Sequence, residues 1–394
     1  MTADPVAATR PRNRRQLIVD AAGRLFSERG YHAASMEEIA SGVGITAAAL
    51  YRHFPNKYAL FAECAHSMVE GLVAALDELP EDAELPDVLA ALVRVTVAHR
   101  ASGGVYRWEA RYLERADRRL LAVQFARVVG RVTDALRRSR PGPGAQDTDG
   151  ERLRVVAALG AIGSLTMHRT SLAQRRLEEL MSACALRVAT TAPGGAAGSA
   201  AHAVTLPAPP VPRSRRAEIL AAAVPLFARD GFANVTNGQI AEAVGLAPSA
   251  LYRHYPGKVD ILAAACLQAA GLLTQSVDRS LEGVSGPRDA VEALAAAYVA
   301  YSFRHTALTS VAEAEIGGLP AELRRPLVQA QREHIAVWEQ QVRLARPELD
   351  PRPARLLVHA GFGVVVEAGR SLRWQDSPGH RAAVTGLVVG ALGL

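Results

Sequence analysis

Leu50-Tyr51-Arg52-His53-Phe54-Pro55-Asn56-Lys57 returns 201 residues later as Leu251-Tyr252-Arg253-His254-Tyr255-Pro256-Gly257-Lys258, and Lys57 and Lys258 are the only two lysines of the chain. A sequence that otherwise fixes positive charge with arginine has placed two compact ammonium groups at matching positions. Contact with phosphate is the first expectation for them. The repeat extends upstream without a gap. Ile18, Ala21, Ala22, Leu25, Phe26, Gly30, Ile39, Ala40, Val43 and Gly44 reappear as Ile219, Ala222, Ala223, Leu226, Phe227, Gly231, Ile240, Ala241, Val244 and Gly245. A period of this length far exceeds the ~20 to 50 residues of solenoid repeats, so each copy is read as a complete unit.

The length of 394 residues is too great for one hydrophobic core and fits two units in tandem. No basic-then-apolar leader is read, and no apolar run is read that approaches the ~18 residues of a membrane span, so the expected location is cytoplasmic, with no membrane partner. Cys64, Cys184 and Cys266 stand alone and are read as core packing, which leaves no thiolate metal site. The net charge of +6 permits an anionic partner.

Helical periodicity dominates, and the expected fold is all-α. The expected divisions are a disordered N-terminus over 1–9, a helix-turn-helix domain over 10–57, a helical body over 58–189, a flexible linker over 190–212, a second helix-turn-helix domain over 213–258 and a second body over 259–394. The linker is nearly all Ala, Gly, Pro, Ser and Thr, which cannot bury enough surface to order itself. Each domain opens on an arginine cluster: Arg10, Arg12, Arg14 and Arg15, then Arg213, Arg215 and Arg216.

Within each opening segment the punctuation is specific. A first helix over 14–29 carries Ile18, Ala21, Ala22, Leu25 and Phe26 on one face and stops at Gly30; its copy over 215–230 stops at Gly231. Ser35 with Glu38, and Thr236 with Gln239, spell capping boxes that start a second helix. Gly44 and Gly245 mark a tight turn before a third helix at Ala47 or Pro248. This is the layout of a helix-turn-helix.

The third helix matches what a DNA duplex offers. Ala47, Ala48 and Ala49 let the backbone approach base edges and pack on thymine methyls, while Pro248 suits the first helical position and Ser249 supplies a hydroxyl. Tyr51, Arg52 and His53, with Tyr252, Arg253 and His254, add hydroxyl, guanidinium and imidazole groups. Residues 9–57 hold eight positive against four negative side chains, and 213–258 hold six against three. Leu50 and Phe54 claim the buried face, which leaves Tyr51 and Tyr252 outside the core.

Taken together, these residues resemble the DNA-binding domain of the TetR/AcrR family of transcriptional regulators, twice over. The resemblance rests on the Ala-Ala and Leu-Phe of the first helix with its terminal Gly, Ile-Ala in the second, the turn glycine, Leu-Tyr-x-His-Phe/Tyr, and the Lys after the following Pro. It covers about 45 residues in each half. It implies phosphate contacts from Tyr51, His53 and Lys57, base contacts from Thr46 through Ala49 and from Tyr51, and the same from the second copy. The second copy departs from the pattern at Ala247, where a capping hydroxyl is usual.

The resemblance also implies a ligand-responsive repressor with a double-stranded operator and a small-molecule effector, associated with the nucleoid when bound to DNA. The last two helices of each family member pair with those of a partner. Arg154, Gly160 and Arg169 repeat at Arg355, Gly361 and Arg370, so residues 151–190 and 352–394 are expected to pair within one chain. The result is a covalent pseudo-dimer, with further homodimerisation left open. Trp108, Tyr112 and His168, with Trp338, His359 and Glu367, are the candidate residues of an effector pocket. The stretch from Leu319 to Trp338 is similar to effector domains of lipid-metabolism regulators and suggests a lipophilic or acyl ligand. No glycine-rich phosphate loop, nucleophile elbow or metal spacing is read, so neither an enzyme nor a cofactor is expected. The alternative to two active heads is one DNA-binding head beside one that serves as a scaffold.

Overall fold

A computed structural model of the chain describes residues 14–102, 112–139, 148–191, 204, 206–208 and 211–394. Every regular element in these residues is helical. In the first half, α1 (Arg14–Arg29), α2 (Met36–Gly42) and α3 (Ala47–Tyr51) form a head. It is followed by α4 (Lys57–Asp77), α5 (Leu85–Ala98), α6 (Arg115–Arg138), α7 (Thr148–Gly163) and α8 (Gln174–Thr190). The second half repeats the plan. Its head is α9 (Arg215–Asp230), α10 (Asn237–Ala243) and α11 (Pro248–Leu251), and its body is α12 (Lys258–Leu281), α13 (Pro287–Arg304), α14 (Thr306–Glu315), α15 (Ala321–Ala345), α16 (Pro351–Ser371) and α17 (Pro378–Leu392).

Both first helices occupy the spans their glycines predict. Gly30 and Gly231 take φ of 81° and 80°, and Gly44 and Gly245 in the turns take 68° and 66°, values at which a side chain would be strained. Both capping boxes form. The Ser35 hydroxyl accepts from the Glu38 amide at 3.1 Å while the Glu38 carboxylate accepts from the Ser35 amide, and Thr236 and Gln239 exchange the same pair of bonds. Thr46 caps α3 by accepting from the Ala49 amide at 3.2 Å, whereas Ala247 leaves α11 without a side-chain cap.

Each head buries its own core against its body. Ile18, Ala22, Phe26, Ile39, Leu50, Phe54 and Phe61 cluster in the first, with Leu113 and Leu121 from the body; Ile219, Ala223, Phe227, Ile240, Leu251 and Tyr255 cluster in the second, with Val311, Leu319 and Leu327. The largest core draws on both halves and contains the four-helix bundle of α7, α8, α16 and α17. Val155, Ala158, Ile162, Met181, Cys184 and Val188 lie there with Leu357, Ala360, Val364, Leu387, Val388 and Ala391. The two units therefore form an intramolecular pseudo-dimer. Apolar burial of this kind, at roughly 25 cal/mol per Å², is the main force holding them together.

Arginines finish the bundle. Arg187 of α8 donates to the carbonyls of Gly390 and Ala391, and Arg346 donates to that of Leu392, so the C-terminus of α17 is capped from both halves. Cys64, Cys184 and Cys266 are all buried and unpaired.

The sequence reading of apolar runs needs correction. Over 18-residue windows α4 and α12 are long and apolar enough to cross a membrane. The sequence reading missed this because scattered Glu, His, Gln and Gly interrupt their apolar runs. In the fold these helices join head to body, and about half of each window is buried.

Candidate nucleic-acid interface and effector cavity

The short third helix of each head keeps only its leucine in the core. Leu50 and Leu251 are fully buried, whereas Tyr51 and Tyr252 are 47% and 55% exposed. Arg52, His53 and Ala48 are exposed beside Tyr51; Arg253, Pro248 and Ser249 are exposed beside Tyr252, and His254 is half-buried. Thr46 is exposed, and Ala47 and Ala49 are half-buried at the helix start. The sequence-predicted DNA residues of the third helices are thus exposed or half-buried at the surface of each head. The two surfaces differ in detail. Asn237 donates to the Tyr252 hydroxyl at 3.0 Å and steadies the ring, while the matching position in the first head is Met36, which cannot.

The two lysines do something the sequence did not suggest. Lys57 Nζ donates to the carbonyls of Ala34 at 2.7 Å and His32 at 3.2 Å, and lies 4.7 Å from the centre of the Tyr31 ring. Lys258 Nζ donates to Phe232 and Val235, both at 2.6 Å, and lies 4.4 Å from the centre of the Phe232 ring. Each ammonium stitches the loop between the first two helices of its head to the helix that follows the recognition helix. A compact three-donor cation suits this cluster of carbonyls, and a planar guanidinium does not. Burial lowers both ammonium pKa values. The phosphate contact expected of the lysines thus falls to groups already engaged inside the head.

Arginines are engaged in the same way. Arg15 stacks on Phe54 and pairs with Glu63; Arg216 stacks on Tyr255 and donates to the His254 carbonyl. Arg215 pairs with Glu218 at 2.6 Å. Arg10 and Arg12 lie outside the described residues.

A cavity of about 620 Å³ opens between the second body and both heads. Cys266, Ala269, Ala270, Leu273, Tyr298, Tyr301, His334 and Phe362 line its interior, and residues 28–33 of the first head border it together with Phe232 and Ala233 of the second. Of the pocket residues predicted from sequence, Tyr112 and His359 line it. Trp338 is fully buried behind the wall, its ring centre 6.1 Å from that of Tyr298 and 5.4 Å from that of Phe362, with its indole nitrogen unpartnered among the described residues. His168 stacks on His359 with ring centres 4.1 Å apart and takes a hydrogen bond contact from Arg100. Glu367 pairs with Arg370 at 3.0 Å beside the bundle, away from the cavity lining. Trp108 lies outside the described residues.

Burial holds the imidazoles neutral. It lowers His334 to about 4, and with Arg355 and Arg100 nearby it lowers His359 to about 4; His168 is pushed well below its usual value by burial first and by His359 and Arg100 next. Sequence reasoning missed Tyr298, Tyr301, His334 and Phe362. The tyrosines sit in an apolar helix that reads as core, but the i, i+4 pairing of His334 with Trp338 was a legible signal of a polar group on a buried face.

Residues 18–64 and 219–265 each match the family described as bacterial regulatory proteins, tetR family. The transcriptional activator FasR of Mycolicibacterium smegmatis is 40% identical over 67 residues, which is 17% of this chain and 30% of that protein. The nucleoid occlusion factor SlmA of Photorhabdus laumondii is 36% identical over 75 residues, 19% of this chain and 38% of its own length. The regulator AcrR of Shigella flexneri is 38% identical over 85 residues, 22% and 39% respectively. The chain therefore spans less than two-fifths of each of these relatives. Among solved structures, a TetR-family regulator from Bordetella parapertussis aligns over 46% of this chain and 95% of its own, at 21% identity and a TM-score of 0.42.

Proposed function

We propose that this chain, which carries the TetR-family DNA-binding domain twice, is a sequence-specific transcriptional regulator that presents two unlike helix-turn-helix heads from one pseudo-dimeric body. The observation that carries this reading is the repeated exposure of Tyr51, Arg52 and His53 and of Tyr252 and Arg253, with His254 half-buried beside them, each set following a single buried leucine. The hydroxyls, guanidinium groups and imidazoles of these residues suit phosphates, and the small residues at the helix starts suit close approach to the major groove. The heads differ at their helix starts, Thr-Ala-Ala-Ala against Ala-Pro-Ser-Ala, so they address different half-sites. Repression relieved by a small molecule in the cavity completes the reading.

Selection of random duplex DNA by the purified chain tests it. Two different half-motifs at a fixed spacing are expected. A perfect palindrome would mean that one active head pairs with its copy in a second chain, and absence of any enrichment sinks the reading. Tyr51→Ala and Tyr252→Ala, made separately, are each expected to weaken binding at their own half-motif. If only one does so, the other head is a scaffold. The bare alanine face of the first head makes it the candidate for that role.

A further inference from the structure

The cavity has a composition and a position that say more than that a ligand enters it. Its deep wall is aromatic: Tyr298 stands 4.6 Å from Phe362 between ring centres, and His334 lies 5.6 Å from Phe362 with planes 19° apart. Among the described residues that line it there is one arginine, Arg29, and no lysine, and Arg29 is paired with Glu38. The acidic lining residues are Glu28, Glu313 and Glu315. Among these described lining residues an anionic group would meet no uncommitted cation to offset its lost hydration. Among the described lining residues, one buried polar side-chain atom has no hydrogen bond. His334 lines the cavity, and its buried Nε2 is unpartnered among the described residues. A neutral imidazole offers one donor and one acceptor, which suits a ligand hydroxyl or carbonyl.

The position matters as much. The loop of the first head that Lys57 ties through His32 and Ala34 borders the cavity, and so does Phe232, whose carbonyl Lys258 holds and whose amide donates to Glu315 of the cavity wall at 3.2 Å. Both lysine stitches lead directly to the helix that follows a recognition helix.

We propose that this cavity binds a lipophilic small molecule that carries a hydroxyl or carbonyl and no anionic group, seated against His334, and that both heads sense it through the two lysine-tied loops. The volume suits a compact drug-sized molecule. The second part rests on the reading of the chain as a DNA-binding regulator; the first does not.

The test uses the full chain and two matched pairs of probes, 4-phenylbenzophenone with 4-benzoylbenzoate and dodecan-1-ol with dodecanoate, followed by calorimetry and thermal melting. The neutral member of at least one pair is expected to bind at least about tenfold more tightly than its anion and to raise the melting temperature. His334→Leu, which keeps most of the volume, is expected to weaken that binding about tenfold, and Ala270→Trp, which fills the cavity, to abolish it. Equal or tighter binding of the anions, or no melting shift with any probe, overturns the proposal. So does full affinity in both variants. With duplex selected by the chain, a saturating neutral probe is expected to change affinity for both half-motifs together, and a change at only one overturns the two-head part. Probe binding without any DNA selection would instead defeat the regulator reading and leave the binding site standing.

Discussion

Gly160 and Gly363, one from each half, lie backbone against backbone where α7 crosses α16. A Cβ on Gly160 would stand 2.5 Å from the Gly363 carbonyl oxygen, and one on Gly363 would meet the Gly160 carbonyl closer still. Both glycines are helical, so it is the absence of a side chain, and not conformational freedom, that the site requires. This contact sets how closely the two units approach.

Gly363→Val is therefore expected to force the helices apart and to destabilise the chain by at least the roughly 1–3 kcal/mol of an overpacked core. Thermal melting reads the loss. A melting temperature equal to that of the parent chain would show that the units adjust without cost.

Lys57→Ala and Lys258→Ala are expected to loosen their own heads, since each leaves two or more loop carbonyls without a donor. The loss should be on the order of 1–3 kcal/mol apiece, read as faster amide exchange over residues 30–36 or 231–237. Lys57→Arg should not restore the first loop, because the planar fork does not fit the same cluster of carbonyls. Full rescue by arginine would mean that charge alone matters there.

The two heads provide an internal comparison of capping. Thr46→Ala removes the bond to the Ala49 amide and is expected to cost about 1 kcal/mol, while Ala247→Thr supplies the missing cap to α11 and is expected to stabilise the second head by a similar amount. Opposite signs in two melting experiments would agree with this. Two losses would mean that Pro248 already fixes the helix start.

Acid should weaken the fold through its buried histidines. His334 and His359 are neutral in the fold with pKa values of about 4, and unfolding returns them to about 6.5. The unfolded chain therefore binds more protons between these values. Stability is full above about pH 6.5 and falls toward pH 4, with a slope of up to about 1.4 kcal/mol per pH unit for each histidine. His168, shifted the same way, adds to the trend. Replacing His334 by Leu should flatten the profile, and an unchanged slope in that variant would assign the acid loss elsewhere.

The helix spans and caps of the heads were legible in the sequence. Gly30, Gly231, both capping boxes and the turn glycines act on the few peptide groups beside them, and such local chemistry does not depend on the rest of the chain. The outward setting of Tyr51 and Tyr252 was legible for the same reason, since Leu50 and Leu251 use up the one buried face of a helix only four or five residues long. The pairing of the two halves was legible through the resemblance rather than through periodicity.

The roles of the lysines and of the cavity walls were decided only in three dimensions. Lys57 meets the carbonyls of His32 and Ala34 across more than 20 residues of sequence, and nothing in the local pattern records that a loop folds back to receive it. Tyr112 of the first half and His334 of the second come to one cavity because the bundle docks the units at the Gly160–Gly363 crossing. Sequence by itself determined the two heads, because their signals are short-range hydrogen bonds and backbone angles. The tertiary structure decided which polar groups are spent holding the heads and which face a cavity, because that depends on packing between distant segments.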